Sequence, residues 1–456
     1  MVPLTRVVRS QFTVLVRFLH SSVIRRPAGL PNEIPTMKAL REQMKRLVGA
    51  SAAYGDAKVD HVFVEPLAKS QEELPAKRLY DSYDEALIPL RNDIGIREEY
   101  YNAFHHVRFG RLLEDLDMFA VWLTYKHAAA TSKITEDSIS PMAIVTGMVD
   151  RIDVETRQIP TDQDIRMRGL VTWVGESSAE SLLLMEQERP GTDEWDKILE
   201  ARFVLVARDP KHGRKAILPP LKPDGPDEEA LHAASKANHR TRKQWQEESL
   251  FKLPPNQEET KIIHELFLQT VDPKESVFST RTKPIDSVWL DEATLKNVHI
   301  CHPQNRNIYG KVFGGFLMRN AFELAWSNAY MYCGSRPITM TVDDIKFRRP
   351  VDIGSLLLMS ARLVYTEGPN MQMRVHAEVI DPATQKRETT NTFYFTFRDS
   401  TGKPVKRVIP KSYSDAMLYL TGRRHYGASK HYQRLIALTK PEFDATPTTA
   451  AVKRQA

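Results

Sequence analysis

The chain has 456 residues, of which 41% are hydrophobic, 9% aromatic and 27% charged. That is the balance of an ordinary folded protein, and at roughly 150 residues per domain it leaves room for two or three units. No run of about eighteen apolar residues occurs, which excludes a helical membrane span, and two cysteines, Cys301 and Cys333, exclude a disulfide framework or a four-thiolate zinc site. Of the net charge of +6, +5 resides in the first 32 residues, which hold five arginines and no acid, so the body is nearly neutral and gives no case for nucleic-acid binding.

In chain order, residues 1–32 carry Arg6, Arg9, Arg17, Arg25 and Arg26 among serines and apolar residues. This acid-free, arginine-rich composition is that of a mitochondrial transit peptide, and it predicts delivery to the mitochondrion, with the matrix as destination. Residues 33–90 form an N-terminal extension with a helix at Met37–Leu47. A first unit spans 91–218: a long helical pattern runs from Arg108 to about His127, and strands follow. Residues 219–270 open on prolines (Pro219, Pro220, Pro223, Pro226) and turn charged and helix-prone, which reads as a linker with a solvated helix. A second unit, 271–412, repeats the plan. Its helical pattern runs from Val312 to about Cys333. Strands follow at Leu356–Tyr365, Met371–Val379 and Phe393–Phe397, the last two with alternating polarity. Residues 413–456 close the chain as a helix and a disordered tail.

The two units resemble each other. Arg108–Leu113 answers Val312–Met318, Val149–Ile152 answers Val342–Ile345, and Val204–Asp209 answers Tyr394–Asp399, in the same order though with drifting spacing. Three ordered blocks point to duplication. One long helix followed by hairpin-linked strands, without helices between them, argues an α+β fold with antiparallel sheet packed on the helix.

Phosphate loops, nucleophile elbows and zinc motifs are absent, so neither a bound metal nor a serine nucleophile is expected. The chemically unusual residue is Asp117. It falls in the apolar stripe of Leu113, Leu116, Ala120, Val121 and Thr124, where an ionised carboxylate is costly unless paired or functional. Glu114 and Asp115 read differently, as first-turn acids complementing the helix dipole. The plain alternative for Asp117 is a place at the helix–solvent margin. The second unit has Phe322 at the matching position, with Glu323 one step on. It has instead Asn307, Gly310 and the pair Gly314-Gly315 just before its helix. Glycines there let a ligand approach the helix N-terminal N–H groups, which can hold a developing oxyanion.

These signatures, Val107–Asp117 and Asn307–Met318 with Ala321–Trp326, resemble the double hotdog acyl-coenzyme A thioesterases and, within them, the mitochondrial branch. The resemblance spans roughly 75–420. It implies two tandem hotdog domains, each an antiparallel sheet wrapped round a central helix, joined as a pseudo-dimer with the sites across their interface. Ala321, Ala325 and Ala329 would form a small-residue ridge against the sheet. It also implies hydrolysis of acyl-CoA to a fatty acid and CoA. Asp117 would be the general base, or else a nucleophile forming an anhydride, with Asn307 the positioning residue and the Gly315 N–H the oxyanion donor. Gly310 and Gly314 would shape the substrate loop, and Lys346, Arg348 and Arg349 would meet the CoA phosphates. The opposite pairing, Asn102 with Glu323, is expected to be a degenerate second site, because His105 and Phe109 replace loop glycines. CoA is then part of the substrate and no cofactor is needed. The partners expected are acyl-CoA and further copies of the chain, in an oligomer of pseudo-dimers. Two other readings fit a hotdog: a hydratase or dehydratase, which would need an essential histidine, and a CoA-ester binding protein without turnover. Acyl length would depend on packing round Trp122, Phe316, Phe322 and Trp326.

Overall fold

The computed structural model describes residues 24–27, 33–47, 67–129, 140–155, 158–209, 212–272, 274, 278, 281–307 and 310–439, with the backbone alone for 431–439. Most of the arginine-rich start, and the tail beyond 439, lie outside the described residues. In chain order the elements are α1 (Met37–Leu47), β1 (Asp84–Ile88), α2 (Ile94–Tyr100), α3 (Phe109–Ala128), β2 (Ala143–Val154), β3 (Ile165–Val174), β4 (Ser178–Glu188) and β5 (Trp195–Arg208). They continue with α4 (Pro226–Glu247), α5 (Gln257–Leu268), β6 (Ser287–Trp289), β7 (Thr294–Ile300), α6 (Gly314–Cys333), β8 (Pro337–Phe347), β9 (Leu356–Glu367), β10 (Asn370–Ile380), β11 (Arg387–Asp399), β12 (Arg407–Ile409) and α7 (Tyr413–Thr439). Short 3-10 turns lie between some of them.

Ten strands form one antiparallel sheet in the order β1-β3-β4-β5-β2-β8-β11-β10-β9-β7, and β6 and β12 make a separate parallel pair. The order reads as a palindrome about the β2–β8 seam. Each half has its own central helix, α3 or α6, and the seam pairs Val149 with Ile345 and Ile152 with Val342. The fold is therefore α+β with two tandem hotdog units, each helix wrapped by its own five strands. The first sheet starts at Asp84, ahead of residue 91, because β1 pairs with β3.

Both central helices run through the interior. In α3 nearly every residue from Leu112 to Tyr125 is buried. Asp117 thus stands out less as a break in one apolar stripe than as a charge inside a wholly enclosed helix. Glu114 and Asp115 are enclosed too, at 6% and 0% exposure, rather than facing solvent as first-turn acids. Asp115 is held by Arg41 of α1 and by the Tyr100 hydroxyl at 2.6 Å. Glu114 is held by Arg111 and by Arg319 of α6 at 3.0 Å. Close packing relies on small residues. A Cβ on Gly169 of β3 would lie 2.8 Å from the Leu123 side chain of α3 and 2.7 Å from the Leu182 carbonyl. Ala321, Ala325 and Ala329 are fully buried along α6. The two central helices meet at Gly315, where a Cβ would come within 2.8 Å of Glu114 Cα.

Strand pairing corrects one internal match. Leu205 lies opposite Thr146, and Phe397 lies opposite Thr339. Leu205 therefore corresponds to Phe397, not to Phe395 as the similar-looking blocks suggest. The slip is two residues, so side chains keep their faces, and each half carries its own bulge beside these pairs.

The stretch 219–270 is more than a tether. α4 lies on the sheet, with Leu231 and Ser235 buried and the Ser235 hydroxyl 2.8 Å from that of Thr172 in β3. Its Arg242 bridges Asp150 at 3.0 Å and Glu180 at 2.6 Å. In the second half α7 takes the matching place, with His425 2.9 Å from Asp343. Within the segment read as a transit peptide, Ile24 is 1% exposed and joins a core cluster with Leu79, Tyr83, Leu170, Leu182, Leu184 and Leu231.

Candidate active site

Asp117 sits in the middle of α3, 1% exposed. Its carboxylate accepts a 2.5 Å hydrogen bond from the Thr146 hydroxyl and another from the Gly315 backbone N–H of the other half. Thr146 is aimed there by a bulge. The β2–β5 register shifts at Gly147, which is left unpaired, and bulges commonly redirect a side chain beside an active site. Three influences set the acidity of Asp117. Burial raises it most, the two hydrogen bonds lower it, and nearby Glu114 raises it again, leaving the pKa at about 6 against an ordinary 3.8. A carboxylate poised there is largely ionised at neutral pH and still basic enough to take a proton from water.

Gly314 completes the contact. A Cβ at this position would lie 2.9 Å from Asp117 Oδ2 and 3.4 Å from the ring of Phe347. Only glycine lets the start of α6 stand against the carboxylate. The loop leading into α6 is folded by Asn307: its Oδ1 accepts the Lys311 N–H at 3.1 Å, and its carbonyl accepts the Gly310 N–H at 3.1 Å. Gly310 has φ +69°, the left-handed region.

The other half repeats these bonds. Asn102 Oδ1 accepts the His106 N–H at 3.2 Å, and the Asn102 carbonyl accepts the His105 N–H at 3.1 Å. His105 holds the left-handed position with φ 61°, an uncommon state for a residue with a Cβ. Tyr101–Val107 and Arg306–Val312 are matching bridges. What lies behind the loop differs. Phe109 stands where Gly314 stands and Phe322 where Asp117 stands, and the two rings pack at 4.9 Å. Glu323 does reach the start of α3, 3.0 Å from where a Gly110 Cβ would be. It is tied there to Arg108 at 2.7 Å. This second position is closed by aromatic rings and its carboxylate is spent on an ion pair.

The basic run after β8 adjoins the site through Phe347. Lys346 pairs with Asp344 at 2.8 Å and Arg349 with Glu388, while the Arg348 backbone N–H bonds the Thr390 carbonyl. The indole N–H of Trp122 donates to Asp84 and that of Trp326 to the Pro337 carbonyl. His105 and His106 are held within the Asn102 loop by Tyr101 and Phe104. Among the described residues no group of three or more His, Cys, Asp or Glu converges as a metal site. Sequence reasoning missed Thr146. The available signal was Gly147, a glycine inside an apolar strand pattern, which marks a bulge.

Comparison with known proteins gives the following relatives. The model of the Thioesterase superfamily matches residues 309–384. The mitochondrial acyl-coenzyme A thioesterase 9 of Homo sapiens is 43% identical over 396 residues, covering 85% of this chain and 88% of that protein. The mitochondrial acyl-coenzyme A thioesterase 10 of Mus musculus is 41% identical over 391 residues, covering 84% and 87%. Among solved structures, an acyl-CoA hydrolase from Staphylococcus aureus in complex with butyryl coenzyme A and coenzyme A matches with 25% identity and a TM-score of 0.32, covering 34% of this chain and 96% of that one.

Proposed function

The chain belongs to the acyl-coenzyme A thioesterase family, and from that membership we propose that it hydrolyses acyl-CoA to a carboxylate and free CoA at the single site built on Asp117. The observation that carries the reading is one buried carboxylate, supplied by one half, docked on the Gly315 N–H at the start of the other half's central helix.

Asp117 is the general base. Ionised, it draws a proton from a water as that water attacks the thioester carbonyl. The Thr146 hydroxyl holds Oδ1 and keeps the carboxylate from turning away. The Gly315 N–H donates to Asp117. When a thioester enters, the same N–H and its neighbours in the first turn of α6 are the donors for the carbonyl oxygen as negative charge develops. Asn307 orients water or thioester. The tetrahedral oxyanion then re-forms the carbonyl as the C–S bond breaks, and the departing CoA thiolate takes up the proton held by Asp117. Lys346, Arg348 and Arg349, beside Phe347 at the end of β8, supply positive charge for the CoA phosphates. The Asn102–Glu323 position performs no hydrolysis, because rings fill the place of the carboxylate and Glu323 is neutralised by Arg108.

The mitochondrial names of the relatives, together with the arginine-rich start, support a mitochondrial enzyme, with the matrix as its compartment. The oligomer we propose is a closed assembly of several copies, each copy an internal pseudo-dimer.

The test is thiol release from acyl-CoAs by the wild type, Asp117→Ala and Glu323→Ala. Loss in the first variant and retention in the second is expected. Retained turnover in folded Asp117→Ala, or equal loss in Glu323→Ala, would overturn the one-site reading.

A further inference from the structure

The two halves form an internal experiment in which the same position is open once and closed once. In the closed copy, Phe322 is surrounded by three rings: Phe109 at 4.9 Å, Phe395 at 5.7 Å and Phe397 at 5.8 Å. In the open copy each has a counterpart. Asp117 replaces Phe322, Gly314 replaces Phe109, Phe203 replaces Phe395 and Leu205 replaces Phe397. Three of the four rings are gone. The surviving ring, Phe203, is fully buried.

Leu205 is the informative replacement. It lies directly opposite Thr146 in the β2–β5 pair, and opposed residues share one face with Cβ atoms about 5 Å apart. Thr146 donates to Asp117, so Leu205 flanks the reacting centre on the sheet side. Its own accessibility is 0%, within the core that encloses α3. Phe397 holds the same place opposite Thr339, and there its ring closes the space against Phe322.

Resting on the reading of Asp117 as catalytic base, we propose that Leu205 forms the floor of the acyl channel and sets the length of acyl group the enzyme accepts. The acyl chain leaves the thioester carbon between α3 and β5, along the space that Phe109 and Phe397 fill in the other half. The side chain at 205 decides how far it runs. A larger residue copies the closed half and leaves room for short acyl groups alone. A smaller one deepens the channel.

The experiment compares kcat/KM for butyryl-CoA and dodecanoyl-CoA in Leu205→Phe, Leu205→Val and wild type, with the melting temperature as a check on folding. One methylene in an apolar pocket is worth roughly tenfold or more in kcat/KM. The dodecanoyl-to-butyryl ratio is therefore expected to fall by at least about tenfold in Leu205→Phe and to rise in Leu205→Val. Phe397→Leu, in the closed half, is expected to leave the ratio unchanged. An unaltered ratio in both folded 205 variants would overturn the proposal, as would an equal shift in Phe397→Leu. If instead Asp117→Ala still hydrolyses both esters, it is the site reading that fails, whatever the ratio does.

Discussion

Asp117→Asn separates the chemistry of the carboxylate from its cost to the fold. The wild-type pKa of about 6 against 3.8 means that the folded chain binds a proton more readily than the unfolded one. Stability contributed by this group is fully present below pH 3.8, declines as pH rises through the interval to about 6, and is absent above it. A shift of roughly two units at about 1.4 kcal/mol each makes the ionised side chain cost about 3 kcal/mol at pH 7. Asparagine removes that charge. It keeps one acceptor and turns an NH2 toward the other donor, losing about 1 kcal/mol of hydrogen bonding. The net expectation is a variant about 2 kcal/mol more stable at pH 7, melting a few degrees higher, with kcat reduced by about 10²–10⁴. The assay is thermal unfolding from pH 3.5 to 8 beside thiol release. The stability gap should open between pH 4 and 6.5 and close or reverse below, while wild-type kcat rises through the same interval. A variant that melts below wild type by a constant amount across the range would refute burial as the source of the raised pKa.

Gly314→Ala should fold, since the start of a helix tolerates alanine, yet place a Cβ 2.9 Å from Asp117 Oδ2. A loss of about 100-fold in kcat with little change in melting temperature is expected, because misplacing a reacting group by about 1 Å costs that much; unchanged kcat would show the carboxylate free to move aside. A chain starting at residue 33 should be less stable than one starting at 24 by about 1.5–3 kcal/mol, the value of burying one large aliphatic side chain, because Ile24 is 1% exposed in a core cluster. Equal urea midpoints for the two chains would show that Ile24 contributes nothing.

Much of this was legible from residues alone. Duplication, the central helices and the alternating strands follow from periodicity, and the Gly314-Gly315 pair announces a close approach. The ring-against-ring closure by Phe109 and Phe322 was readable only as a missing glycine and a missing acid, because contacts between residues so distant in sequence leave no local pattern. The outer helices illustrate the same limit. Residues Pro226–Glu247 look solvated by composition, since their anchoring comes from Arg242 on Asp150 and Glu180 and from Leu231 rather than from a continuous apolar stripe. Asp117 was conspicuous for a sound reason, an acid amid apolar neighbours, but Thr146 was not. A lone threonine in a strand carries no signal until the bulge at Gly147 turns it toward a partner on another element. Ile24 was hidden by its setting, an apolar residue beside two arginines in a stretch whose composition spoke of import.

The seam between β2 and β8 has a mechanical meaning. The carboxylate belongs to one half and the N–H that holds it to the other, so the distance between them depends on how the halves sit against each other and not on the integrity of either. A slippage of an ångström along the seam would dismantle the reaction centre while both sheets and both helices stayed whole. Heat, mild denaturant or a mutation at the seam should therefore silence the enzyme before any spectroscopic sign of unfolding, and cooling should restore it at once.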